Sequence, residues 1–396
     1  MVISINTRYK FMQGLFWMLY CAGSGFISLY LQGCGIGTVG IGTVTAFFGI
    51  TAALMQPLLG SICDRSSIFN WKNMILILSV IFAAVCAVMI FINGVCAGAI
   101  LIGLLILTGN LIMPFVNNAN FYYLKKGENI NFGIARGIGS ASYAIVAFII
   151  GKIAAVSGIR VIPSAGLIIA VLFFAAVIIM PYQKSEKHNE IKRTRMKKGF
   201  FSSYRPFTVM MGACLMMLTT HNILCTYLLQ IIQSFGGNSS NLGTALAIQA
   251  IVEVPVMFCF SRLLRHFSPA VLMMTASFGF ILKAIMFLIS SDILMLYLTQ
   301  LTQMVSFALF ASASVYYTAE SVSDEDQGMG QACMTSMMAA GTVCGSLLGG
   351  WILKVTGIHE LLLISLLISA FGVILAAISV RMGRHKTPAE EVSRYE

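Results

Sequence analysis

Charge is what this sequence has least of. Asp, Glu, Lys and Arg make up 10% of its 396 residues, against about 25% in a soluble domain, so the chain cannot clothe itself in a polar surface. Short segments of alternating polarity, roughly ten residues each, are also missing, which disfavours a membrane barrel. The cysteines, among them Cys21, Cys63, Cys86, Cys214, Cys259 and Cys344, are scattered through apolar stretches without C-x-x-C or Cys/His ligand spacing. That argues against zinc or a disulfide framework and leaves small buried hydrophobes. No G-x-x-x-x-G-K-[ST] phosphate loop is present, which disfavours a primary pump. The apolar stretches hold no paired carboxylates, Ser/Lys dyad or metal spacing, so the expectation is a non-enzyme with no metal or cofactor.

What the chain does have is apolar length. Hydrophobic residues reach 58%, with a mean hydropathy of +0.88, and runs long enough to cross a ~30 Å hydrocarbon core as helices recur throughout. The reading places spans at 11–32, 41–62, 73–93, 97–123, 132–156, 161–181, 206–234, 241–261, 269–290, 293–318, 328–356 and 359–380. The first is too long for a removable signal peptide and lacks a small-residue cleavage site. The expected fold is therefore an all-α membrane protein with twelve transmembrane helices.

The net charge of +11 follows topology rather than nucleic acid. Arg8 and Lys10 precede the first span, Arg65 and Lys72 follow the second, and Lys125 and Lys126 follow the fourth. Lys184 through Arg205 form a basic stretch after the sixth, and Arg381, Arg384 and Lys386 follow the last. By the positive-inside rule both termini are cytoplasmic, in a plasma (inner) membrane of bacterial type. The long polar stretch 182–205 separates a six-span unit at 1–181 from another at 206–381, with a cytoplasmic tail at 382–396.

Internal similarity supports that division. Gln56-Pro57-Leu58-Leu59-Gly60 parallels Val254-Pro255-Val256-Met257-Phe258, Gly133-Ile134-Ala135-Arg136 parallels Gly330-Gln331-Ala332-Cys333, and Ser157-Gly158-Ile159 parallels Thr356-Gly357-Ile358. All three are displaced by about half the chain. Two halves related by a pseudo-two-fold along the membrane normal, with a site between them at mid-membrane, make an alternating-access carrier.

Gly60-Ser61-Ile62-Cys63-Asp64-Arg65, followed by Lys72, resembles the G-x-x-x-D-R signature of the major facilitator superfamily. Gly60, Asp64 and Arg65 would form its conformational latch. The runs Gly14-Leu15-Phe16, Gln56 to Gly60, Asn131 to Arg136 and Glu253 to Phe258 extend the resemblance to the branch of lactose permease and related metabolite:proton symporters, over nearly the full length. The resemblance implies two bundles of six helices. Position by position, the arginine that binds sugar hydroxyls falls on Arg136, and the aromatic that stacks on the sugar falls on Tyr143. The acid that partners the arginine falls on Asn118, the tenth-span histidine near Gln303, the proton-releasing glutamate near Ser306 and the ninth-span arginine on Lys283. The eighth-span carboxylate moves about one turn, to Glu253. These departures point away from lactose itself.

An ionisable group in hydrocarbon costs roughly 2.5 to 3.5 kcal/mol even on a lenient scale, so each deep charge needs a reason. Glu253 is the one acid placed deep in a span and the best choice for proton coupling. Movement of Lys283 or Arg136 relative to it would switch its protonation; a static pair that merely joins helices is the alternative. Arg136, a planar five-donor fork, suits carboxylate, phosphate or vicinal hydroxyls, unless it only snorkels. His221 and Asn222 are substrate contacts or interhelical hydrogen-bond partners. At least one of Asn117, Asn118 and Asn120 should face a cavity. Tyr20, Trp17 and Tyr143 offer an aromatic wall, and Gln303 a neutral donor and acceptor. The expected function is proton-driven symport of a small polar metabolite (saccharide, nucleoside or organic acid) by a monomer in the bilayer. Antiport efflux of drugs or metabolites, and a transporter-like solute receptor, are the alternatives.

Overall fold

The computed structural model describes residues 4–66, 68–92, 94–128, 130–182 and 199–384. Regular structure among them is helical. Eleven helices are long and apolar enough to cross a membrane, and Ile5–Gly25 with Ile27–Gly33, bent by 41°, makes a twelfth span. The others run, in order, Thr38–Arg65, Trp71–Phe91, Val95–Lys125, Phe132–Ser157, Val161–Ile179, Arg205–Thr226 continued by Leu228–Ser234, Ser239–Ile251 continued by Glu253–His266, Pro269–Leu288, Ile293–Ser321 with an irregular middle, Gln327–Val355 and Ile358–Arg384.

Local chemistry explains where helices start. The side chains of Asn70, Asn131, Ser268 and Asp292 each accept a backbone N–H of the first turn, satisfying donors that have no intrahelical partner. Ser4 does the same for the first helix. That helix starts at Ile5, well before the apolar run from residue 11, because a capped polar turn can extend a helix beyond the segment hydropathy detects. Two of the repeated glycines mark helix ends: Gly158 (φ 77°) and Gly357 (φ 109°) follow the fifth and eleventh spans, in backbone conformations that favour glycine.

Packing repeats as well. Span 1 lies on span 5 as span 7 lies on span 11, and span 3 on span 6 as span 9 on span 12. The fold is thus two pseudo-symmetric six-helix bundles, meeting where span 2 packs on span 11 and span 5 on span 8. Backbones touch at that seam: a Cβ on Gly151 would stand 2.6 Å from the Cα of Gly243.

One end of the seam is sealed. Gln32 Nε2 donates to Gln233 Oε1 at 3.1 Å, Gln230 Nε2 to Gln32 Oε1 at 3.3 Å, Tyr227 hydroxyl to the Thr38 carbonyl at 3.2 Å and Thr38 hydroxyl to the Gly350 carbonyl at 3.1 Å. Further along span 2, the position of a Gly49 Cβ still lies 3.8 Å from Thr342, whereas at Gly60 nothing stands within 4 Å. Spans 2 and 11 separate toward that second end. The side chains of Asp64 and Arg65, most of the 182–205 stretch and most of the 382–396 tail lie outside the described residues.

Candidate functional site

Between the halves is a cavity of about 570 Å³, within the usual range for small-molecule sites. Residues spaced three or four apart face it from each helix: Trp17, Tyr20 and Ser24 in span 1, Ile106, Asn110, Met113 and Asn117 in span 4, and Arg136, Ser140 and Tyr143 in span 5. The other half contributes Leu218, His221, Asn222 and Cys225 from span 7, Gln249 and Glu253 from span 8, and Gln303, Phe307 and Ala311 from span 10. The structure therefore brings together Tyr20, Arg136, Tyr143, His221, Asn222, Glu253 and Gln303.

Helix geometry at this depth is irregular. Span 1 passes through a π-helical turn at Cys21–Gly25, and span 10 through a 3₁₀ turn at Leu301–Gln303 and a π turn at Met304–Ala308. Such interruptions recur at functional sites. Span 8 breaks at Val252. Pro255 has no N–H to return to the carbonyl of Ile251, so Glu253 begins a new helical segment at the cavity wall.

Arg136 sits in a prepared cradle. Its Nη1 donates to Ser140 Oγ at 2.9 Å, and its guanidinium carbon stands 3.7 Å from the Trp17 ring centre, a cation–π contact. The ring is fixed from behind, because Trp17 Nε1 donates to Gln13 Oε1 at 3.2 Å while Gln13 Nε2 donates to the Tyr9 hydroxyl at 2.9 Å and to Asn117 Oδ1 at 3.3 Å. Gly139 leaves the space Trp17 fills. Tyr20 donates to Asn110 Oδ1 at 3.4 Å, and the Tyr143 hydroxyl lies where a side chain on Gly25 would stand.

Across the cavity, Glu253 is 9% exposed and Gln303 and Lys283 are 1% exposed. Lys283 Nζ donates to Gln303 Oε1 at 2.6 Å, and Gln303 Nε2 donates to Glu253 Oε1 at 3.0 Å. One amide thus relays between lysine and glutamate, while Arg136, within electrostatic reach of Glu253, makes its close contacts with Ser140 and Trp17. Lys283 stands behind the wall rather than in it, too deep to touch a substrate. His221 stacks on Phe307, centroids 4.4 Å apart and 5° from parallel. Asn222 spends its amide on the Leu218 carbonyl at 2.8 Å.

The expectation for Asn118 is corrected. It is exposed, and its neighbour Asn117 lines the cavity instead. Successive helical residues point about 100° apart, and the face defined by 106, 110, 113 and 117 leaves 118 turned away. Gln13, Ser140, Asn110, Gln249, Cys225 and Phe307 escaped the sequence reading. Their signal was helical spacing from polar residues, as in Arg136/Ser140, His221/Cys225, Gln249/Glu253 and Gln303/Phe307, not charge.

Two six-helix halves enclosing one central chamber are the design of a transporter of the major facilitator type. The chain belongs to the MFS_1-like family, whose model matches residues 7–379. No curated protein sequence matches significantly. Among solved structures, a point variant of the nucleoside transporter NupG superposes with a TM-score of 0.81 at 15% identity, covering 96% of this chain and 100% of that one. Another structure of NupG gives 0.78 at 16%, covering 98% and 100%. A variant of the peptide transporter POT gives 0.75 at 11%, covering 96% and 94%. At these identities the likeness carries the fold. The protein is a multi-pass membrane transporter, not an enzyme.

Proposed function

We propose that this transporter is a secondary carrier that takes up a small polar metabolite with protons by alternating access, acting as a monomer in a plasma membrane of bacterial type. Glu253 is the coupling site. The observation that carries the reading is the arrangement of Glu253: an acid at the break of span 8, facing the chamber between the halves and backed by Gln303 and Lys283. A carboxyl in that position meets both solute and proton, and the relay behind it changes whenever spans 8, 9 and 10 shift. The units 1–181 and 206–381 rock about the chamber, with Gly60, Asp64 and Arg65 as the latch of the second span. With both termini cytoplasmic, the sealed end is external and the parted end internal.

Much of the chamber wall is apolar, and the polar solute is favoured by the charged groups of Arg136 and Glu253 that face it. NupG is a nucleoside transporter and POT a peptide transporter, which agrees with a polar solute carried in this fold. The test is flux in proteoliposomes. Wild-type protein should accumulate solute when an inward proton gradient is imposed and lose accumulation with an uncoupler. Glu253→Gln should abolish uphill accumulation and keep counterflow exchange. Undiminished uphill uptake by that variant removes Glu253 from the mechanism, raised drug sensitivity on deletion favours efflux, and binding without flux favours a receptor.

A further inference from the structure

We infer that the transported solute carries a carboxylate that docks on Arg136. This rests on transport through the central chamber, and it narrows the solute to a class: small hydroxylated monocarboxylates.

The residues lining the chamber include one permanent cation, Arg136, and one acid, Glu253. The acid already has a counter-cation, because Glu253, Gln303 and Lys283 form one hydrogen-bonded line with opposite charges at its ends. The relay orientation is set by chemistry. An ammonium can only donate, so Gln303 turns its oxygen to Lys283 and its N–H to Glu253. Arg136 also feels Glu253 across the chamber, so two cations, Arg136 and Lys283, share one acid and one positive charge is left without an anion.

The observed contacts of Arg136 are neutral. A serine hydroxyl takes one N–H and the face of Trp17 takes the plane. Asn117, which reaches the chamber on the adjoining helix, is an amide whose oxygen accepts from Gln13. A guanidinium has five N–H donors, so most of its fork is left for a ligand. A buried cation is costly until an anion pairs with it, and the planar fork matches a carboxylate in bidentate geometry. Protonation of Glu253 would add to the positive excess, so the loaded chamber favours an anion more strongly still. Ring and hydroxyl recognition then falls to neutral groups on the lining, among them Tyr20, Asn110, Tyr143 and Gln249.

Equilibrium binding in detergent at neutral pH tests this without a gradient, and so separately from proton coupling. The probes are galacturonate, glucuronate, gluconate and quinate, each beside a neutral partner: galactose, glucose and the methyl esters of the acids. At least one acid should raise the melting temperature of the purified wild-type protein and bind tenfold or more tightly than its neutral partner. Arg136→Gln should lose that preference, and Arg136→Lys should keep the preference with weaker affinity. Neutral partners binding as well as the acids, no acid binding at all, or an acid preference that survives in Arg136→Gln would each overturn the inference. Acid binding with uphill flux that ignores Glu253 would leave it standing and sink the coupling proposal instead.

Discussion

At the scale of single residues, the cost of charge in hydrocarbon is a sharp guide to which positions matter and a poor guide to how they connect. It singled out Arg136, Glu253 and Lys283, and two of these face one chamber while the third backs it. It could not show that an uncharged glutamine stands between Lys283 and Glu253, since nothing about a neutral amide marks it as a relay. The asparagine run was ambiguous for a geometric reason: neighbours on a helix diverge by about 100°, and a one-residue error selects the wrong side. The two residues should therefore behave differently. Asn118→Ala should change solute affinity by less than about twofold, because the side chain is exposed. Asn117→Ala removes the acceptor of Gln13 Nε2 and loosens the support of Trp17 under Arg136. A net hydrogen bond is worth about 0.5–1.5 kcal/mol, so affinity should fall by roughly two- to tenfold. Titration of both variants with the same ligand checks this, and equal effects would mean that the asparagine face is wrongly placed.

At the scale of elements, helix number and most boundaries were legible, because hydrophobic length is a one-dimensional property. The interruptions were not legible, and proline alone does not mark them, since Pro57 and Pro114 lie inside unbroken helices. Pro255 lies just past the break at Val252, and the π turns at Cys21–Gly25 and Met304–Ala308 follow from packing between helices distant in sequence. Gly279, for instance, has the Val305 backbone where a side chain would be. The break in span 8 makes its own prediction. Proline in a helix interior is about 3 kcal/mol less favourable than alanine, so Pro255→Ala can mend the helix across Glu253. The variant should melt a few degrees higher and exchange solute more slowly, because a continuous span 8 removes the joint that presents Glu253. Unchanged flux together with raised stability would make the break incidental; lowered stability would mean that the chain around Pro255 cannot close into a helix.

At the scale of the whole molecule, the sealed end sets how easily the halves can rock. Its four inter-half hydrogen bonds, made by Gln32, Gln230, Tyr227 and Thr38 with their partners, join neutral groups. At about 0.5–1.5 kcal/mol each, they total a few kcal/mol, comparable with the differential affinity a bound solute can apply to two conformations. A gate of this strength holds the resting state and still yields on each cycle. A latch of buried ion pairs would be harder to break, since separating one partner costs about 3–5 kcal/mol. Being uncharged, the gate should also respond little to salt. Gln32 and Gln233, whose amides meet at 3.1 Å, are the place to stop the motion. In a background with the ten native cysteines replaced, Gln32→Cys with Gln233→Cys should be joined by a short cleavable bifunctional thiol reagent. Counterflow and uphill flux should then fall to the level of empty vesicles and return once the linker is cleaved. Full transport by the crosslinked protein would show that the halves do not part at this end, and rigid-body rocking about the central chamber would have to be abandoned.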